Sequence, residues 1–436
     1  MDTIQPPHTT SHSFEGNERA SVSMARETDQ AASPAILSPT FPDLPTIPVP
    51  TVTKTRAKTW KHALGQAAFV YGLIHLVYLF ITYLATLFKI DNFSAKTFPL
   101  RTLLENWNRW DTGHFTTIAT HGYDAPWRTA FFPLYPLLER GLSFIVQDPY
   151  IAGLVIANLA NFGALALLYK LVEEDFDQER AARTILYLSL YPAAFFLSAA
   201  YNESLFLLCV LGCFYCFRRG NWWLAGLCGL LASLTRSAGV LLVIPFCYEY
   251  LRQRQFQWRK MLSFDILSIA LIPLGVVIFA AYCWFQFHDP LTFSHAQSVW
   301  GRQLRIPPLG FLSSLKLIWH LPILSFTSMH NVIDLGAGLV ILALVVLGFV
   351  GPWKFRQQTI VYALYGATAY LFVIFFPSHD SEPLQSQMRL VMETFPAFMI
   401  LAAMGKEQKL HQAYVIISNA LMIFFLLQFL TGFWMV

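Results

Sequence analysis

An all-α polytopic membrane protein with about eleven transmembrane helices (roughly nine to twelve) is the fold class this sequence predicts, and three observations predict it. Hydrophobic residues make up 55% of the 436 residues and charged residues only 13%, with a mean hydropathy of +0.47. A chain of that composition satisfies its backbone in helices surrounded by lipid or by one another. Apolar runs near the ~20 residues that cross a bilayer recur between short polar breaks. Lys and Arg gather in alternate connections, as the positive-inside rule requires. The formal charge of +4 is therefore no sign of a nucleic-acid partner; its meaning lies in where the cations fall.

Residues 1–58 are rich in Pro, Ser and Thr with scattered apolar positions. Such a segment buries too little surface to fold and reads as a disordered cytoplasmic tail. Residues 59–436 read as one integral membrane domain, with spans at 63–88, 150–170, 183–200, 203–218, 221–235, 238–251, 262–284, 331–352, 358–377, 389–404 and 411–434. The first of them serves as signal anchor. With the N-terminus cytoplasmic, cations at 54–61, 170–183, 218–219, 252–260, 354–356 and 406–409 share the inner side. Two long loops, about 89–149 and 285–330, then lie outside. Loops of this length are expected to carry function. No glycine-rich nucleotide loop lies on the inner side, which weighs against direct use of a cytosolic nucleotide sugar. Cys213 and Cys216 form a CxxC inside an apolar run and read as small core residues.

The first outer loop concentrates ionisable and aromatic residues. Leu103, Leu104, Trp107, Trp110, His114, Phe115 and Ile118 recur at helical spacing, predicting an amphipathic interfacial helix. On such a helix Trp107, Asp111, His114 and Ile118 share a face, so a carboxylate and an imidazole sit together at headgroup depth. A carboxylate there can accept a proton from an attacking hydroxyl. Two prolines three residues apart, Pro133 and Pro136, predict a re-entrant or bent approach to the second span; alternatively they start a helix.

The pattern Trp110-Asp111, His114-Phe115, Ile118-Ala119, Gly122-Tyr123 and Ala130-Phe-Phe-Pro-Leu-Tyr-Pro136 resembles the first-loop signature of the PIG-V type mannosyltransferases, the GPI mannosyltransferase 2 family and its prokaryotic relatives. Later pieces agree in order: Tyr201-Asn202-Glu203-Ser204, Leu234-Thr-Arg236-Ser-Ala-Gly239, and His288-Asp289-Pro290 through His295, Gln297 and Trp300. The resemblance covers roughly residues 60–405. It implies the C-type membrane glycosyltransferase fold and transfer of a sugar from a polyprenyl or dolichyl phosphate, the donor substrate, to a lipid-linked or glycan acceptor on the lumenal or extracytoplasmic side. It places the catalytic base at Asp111, with His114 orienting it or touching the sugar. Inverting, single-step transfer follows, in which Arg236, Arg302 or Arg389 grips the departing phosphate. Substrate contacts are expected at Trp110, Arg109, Tyr135, Glu203, Arg236, His295, Gln297, Arg302 and Arg389. For Arg236 the alternative is neutralisation of Glu203 or another acid; for Arg389 it is snorkelling. No metal site or cofactor is implied, and divalent-metal dependence stays open. Ala238 replaces an Asn of eukaryotic members, and the Arg389–Pro396 stretch looks more like bacterial relatives. The membrane is thus the plasma membrane in a bacterium and the endoplasmic reticulum in a eukaryote. The rival function is a transporter or flippase of a lipid-linked glycan, since charged residues in broken helices also mark transport paths.

Overall fold

The computed structural model describes residues 56–89, 99–257, 263–322, 325–378 and 382–433. The expected N-terminal tail lies outside these residues except at 56–58, which already belong to the first helix, Arg56–Lys89. All regular structure among the described residues is helical. Several helices begin where the sequence places caps. Asp148 accepts from Tyr150 N at 3.0 Å and Ile151 N at 3.3 Å and starts Pro149–Asp175, with Pro149 in the first turn where its missing N–H costs nothing. Asp177 caps Gln178–Leu190, and Ser325 caps Phe326–Phe349.

Each of the eleven predicted spans coincides with helical structure, but few are uninterrupted. Among the described residues five helices are long and apolar enough to cross a membrane: Trp60–Phe88, Pro149–Asp175, Phe264–Phe287, Phe326–Phe349 and Gln408–Thr431. Glu203–Phe217, Trp222–Thr235, Ile360–Phe375 and Phe395–Met404 are shorter apolar helices. The protein is a multi-pass membrane protein, and these nine apolar helices among the described residues do not fix the number of spans at eleven. The shortening has a structural cause. Chain that would have lengthened these helices is spent on breaks at 191–202, at Arg236 followed by a 3-10 turn over Ser237–Leu242, and at 387–394. Non-helical backbone at membrane depth persists only where protein or a cavity covers it. The break at 191–202 is almost wholly buried.

The ends of the bundle differ chemically. At one end Arg218 pairs with Asp175 at 2.5 Å and with Glu249 at 3.2 Å, tying together the C-terminal ends of three helices. Glu203 and Arg236 fall at the opposite end, because Glu203–Phe217 starts there and Trp222–Thr235 returns there. The return is tightly packed. A Cβ on Gly226 would lie 2.4 Å from the Ser268 carbonyl oxygen, and one on Gly275 2.6 Å from that of Leu230. Small residues thus let Trp222–Thr235 and Leu271–Phe287 approach backbone to backbone, as in other membrane helix pairs.

The segment after the first span, expected to be an outer loop, departs from the expected single amphipathic helix. Leu100–Glu105 and Asp111–His121 are separate helices, and Trp110 between them has φ 41, a conformation that costs about 1–3 kcal/mol for a residue with a Cβ. Trp107 therefore does not share a helical face with Asp111. Its indole donates to Thr82 Oγ1 at 3.0 Å, and Asn106 donates to Thr86 Oγ1 at 2.7 Å, so the connection is pinned to the first span. Phe429 of the last helix packs on Trp107, Trp110, Phe195, Phe196 and Tyr201. Pro133 stands at the N-cap of a separate helix, Leu134–Val146, so the prolines start a helix and the re-entrant expectation is corrected. The second outer loop also contains a helix, Pro307–His320, that its sequence was not expected to form.

Candidate functional site

The three breaks and the start of the Asp111–His121 helix enclose a cavity of about 310 Å³. On its ionic side Arg389 Nη1 lies 2.9 Å from Asp111 Oδ2, and its Nε lies 3.2 Å from Glu203 Oε1. Arg236 completes the chain, 3.4 Å from the same Glu203 oxygen and paired with Glu393. Glu203 is 1% exposed and Arg389 8%. Ions buried this far persist only in mutual compensation. The Arg389 guanidinium thus bridges two carboxylates, one through Nη1 and the other through Nε. Its guanidinium also lies over Phe196 and Tyr201, 5.2 and 5.4 Å from the ring centres.

Arg302 borders the same cavity, and no ion pair or side-chain hydrogen bond links it to any described residue. Burial, then the guanidinium charges of Arg389 and Arg236, push its pKa down to about 10, against the pull of Asp111 and Asp334. It stays cationic at neutral pH. The two other arginines are neutralised by three acids, whereas among the described residues no acid makes direct contact with Arg302.

His114, one turn after Asp111, packs between Trp127, Phe131 and Trp300, with ring centres 5.3, 4.9 and 6.4 Å away. Burial holds its pKa below the usual range, against the opposing pull of Asp111. Of the residues expected to bind substrate, Arg236, Gln297, Arg302 and Arg389 border the cavity together with Asp111. Glu203 stands behind them as counter-ion. The others lie off the cavity wall: Arg109 donates to the Leu430 carbonyl oxygen at 3.2 Å, Tyr135 donates to that of Gly153 at 2.9 Å, Trp110 packs on Phe429, and His295 pairs with Asp289 at 2.8 Å on an exposed turn. Arg236 is paired with acids, the alternative weighed for it, and Arg389 is buried rather than snorkelling.

Two acids escaped the sequence reading. Glu393 was hidden in an apolar stretch, although an acid four residues after an arginine in such a stretch signals a helical ion partner. Asp334 lies mid-span in Phe326–Phe349 and accepts from the backbone N–H of Met388 at 2.8 Å and from that of Gln387. It thereby anchors the four-residue turn Gln387–Leu390 that carries Arg389, just after Ser386 at φ 64. Gly338, one turn further on, leaves room for Gln387: a Cβ there would meet the Gln387 amide nitrogen at 2.2 Å. We expect Asp334→Ala to cost about 1–3 kcal/mol by orphaning buried backbone donors. The loss should be visible as earlier thermal unfolding in detergent, with Asp334→Asn milder; unchanged unfolding in both would remove this anchoring role.

The family model for Mannosyltransferase (PIG-V) matches residues 84–365. GPI mannosyltransferase 2 of Cryptococcus neoformans is 33% identical over 144 residues, 30% of this chain and 34% of the relative. The Yarrowia lipolytica protein of the same name is 25% identical over 253 residues, 56% and 66% of the two chains. Human GPI alpha-1,6-mannosyltransferase 2 is 30% identical over 211 residues, 43% and 42%. The matched region thus spans from 34% to 66% of these relatives' own length. Among solved structures, ArnT of Cupriavidus metallidurans bound to undecaprenyl phosphate superposes with a TM-score of 0.47 at 11% identity, covering 84% of this chain and 76% of that one. The Archaeoglobus fulgidus oligosaccharyltransferase gives 0.46 at 14%, covering 83% and 53%. With the family model matched across more than half of its length, the chain belongs to the PIG-V mannosyltransferase family.

Proposed function

We propose that this protein is a membrane mannosyltransferase that moves a hexose from a polyprenyl or dolichyl phosphate to a lipid-linked or glycan acceptor, with inversion, and that Asp111 is its general base. One observation carries the reading: Asp111, Arg302 and an apolar flank formed by Leu241, Phe372, Val373 and Phe376 converge on one cavity. A lipid phosphate sugar has the matching parts, an isoprenoid tail, an anionic phosphate and an electrophilic anomeric carbon.

In the proposed step the acceptor hydroxyl gives its proton to Asp111 while its oxygen bonds to the anomeric carbon. The bond from that carbon to the phosphate oxygen breaks, and the electron pair leaves with the phosphate. Arg302 stabilises the growing negative charge, an interaction stronger in the transition state than in the ground state. Arg389 keeps the Asp111 carboxylate oriented from 2.9 Å. The cavity opens on the lumenal or extracytoplasmic side, opposite the cation-rich end of the bundle. The names and the fungal and mammalian origins of the relatives favour a GPI-type glycolipid acceptor and the endoplasmic reticulum membrane.

The test is transfer from radiolabelled polyprenyl-phosphate mannose by purified protein in lipid, read as a new glycosidic bond on the acceptor. Exchange of the labelled lipid between leaflets with no such bond would overturn the reading in favour of a flippase. Within this assay Arg302→Gln should raise the donor KM and lower kcat, together reducing kcat/KM by about 10- to 100-fold, the equivalent of losing a hydrogen bond to a charged group. It should also weaken competition by inorganic phosphate. An unaltered kcat/KM would remove Arg302 from the phosphate site.

A further inference from the structure

A polyprenyl phosphate accounts for the cationic and aliphatic parts of the cavity but leaves its third wall unexplained. Trp300 and Phe131 border the cavity there, with ring centres 5.5 Å apart and planes at 81°. Trp127 stands 6.1 Å from Trp300, and His114 touches all three rings. None of the four is fully buried; Phe131 also packs on the hydrophobic core, so the wall is anchored behind while part of each ring stays accessible. The cluster is braced from outside: Arg128 sits over the Trp127 ring at 4.5 Å and pairs with Asp124 at 2.5 Å. Beside the rings, Gln297 and Ser294 bring an amide and a hydroxyl to the cavity edge. The Gln297 side-chain nitrogen is held only by a 3.5 Å contact to the Ala130 carbonyl oxygen.

Neither phosphate nor an isoprenoid tail needs flat rings interleaved with amides and hydroxyls. A pyranose does: its C–H face is apolar and lies flat on an aromatic ring, while its equatorial hydroxyls call for groups that both donate and accept. We propose that Trp300 and Phe131, backed by Trp127 and His114, form a hexose-stacking subsite whose sugar hydroxyls are taken by Gln297 and Ser294. This rests on the transferase reading above and extends it to how the sugar ring is held. His114 belongs to the helix that begins with Asp111, so a ring seated on this wall has its hydroxyls directed toward the base. Donor and acceptor hexose share the required chemistry, and the kinetic arms below distinguish them.

Two measurements on the full-length protein in lipid nanodiscs test the subsite. Saturation-transfer NMR with octyl α-mannopyranoside reads ring binding without catalysis. Wild type and Asp111→Asn should both show the contact, Trp300→Ala should lose it, and Trp300→Tyr should retain it. In the transfer assay Trp300→Ala should raise the acceptor KM about tenfold, with kcat little changed and with recovery in Trp300→Tyr, if the acceptor ring sits on the wall. If the donor ring sits there, the donor KM rises instead, with the acceptor KM little changed. No saturation transfer to wild type, or equal signals in wild type and Trp300→Ala with both kinetic arms unmoved, overturns the subsite. Because binding is read apart from transfer, a protein that binds the glycoside through Trp300 yet forms no glycosidic bond would sink the proposed reaction and leave the subsite standing.

Discussion

Asp111→Asn should lower kcat for mannosyl transfer by about 10³-fold, within the 10²–10⁴ that a positioned general base contributes. The substitution is nearly isosteric and leaves Arg389 its other acid, Glu203, at 3.2 Å. The protein should therefore still insert, fold and bind donor, with a donor dissociation constant close to that of wild type. The loss should fall on kcat, since the proton moves only as the new bond forms. Transfer at the wild-type rate would end the role of Asp111 as base, and a matched loss of donor binding would make it a binding group instead.

Arg389→Met should be the most disruptive single change at the site, because it strands two carboxylates at once. Asp111 loses its 2.9 Å partner, and Glu203, almost wholly buried, keeps only Arg236 at 3.4 Å. Removing one member of a buried ion pair costs about 3–5 kcal/mol, most of it from the charge left behind. Lysine should not substitute, since a single ammonium cannot span two carboxylates as a planar guanidinium does. The double variant Arg389→Met/Glu203→Gln separates the two consequences: it should recover much of the lost thermal stability in detergent while transfer stays low. Recovery of both would show that Arg389 acts only by keeping the fold. Wild-type stability in the single variant would contradict the buried network itself.

How much of this was legible beforehand differs element by element. The apolar runs announced helices because hydrophobic content and length are local properties of the chain, and the caps at Asp148, Asp177 and Ser325 are local as well. The first-loop motif identified Asp111 because an acid among tryptophans beside a span is conspicuous in any register. The helical face shared by Trp107 and Asp111 was misread, because periodicity cannot see a kink at Trp110 that is imposed by anchors at Thr82 and Thr86 on another helix. Tyr135 and Arg109 looked like ligands by type and position, yet the Tyr135 hydroxyl donates to the Gly153 carbonyl oxygen and Arg109 Nη2 to that of Leu430, and neither residue borders the cavity. Such partners come from distant chain, so spacing along the sequence carries no trace of them.

The sequence by itself determined the membrane class and the family signature and singled out Asp111 as the candidate base, because each rests on composition or on residues close together in the chain. Only the tertiary structure decided which cations meet which acids. Asp111, Glu203, Arg236, Arg389 and Glu393 come from segments that close into one network where broken helices meet, and among the described residues that network does not include Arg302, which borders the same cavity. The physical reason is that burying a charge is costly unless it is compensated. Compensation is settled by distances of a few ångströms across the fold, and residue order along the chain does not encode them in any form that can be read directly.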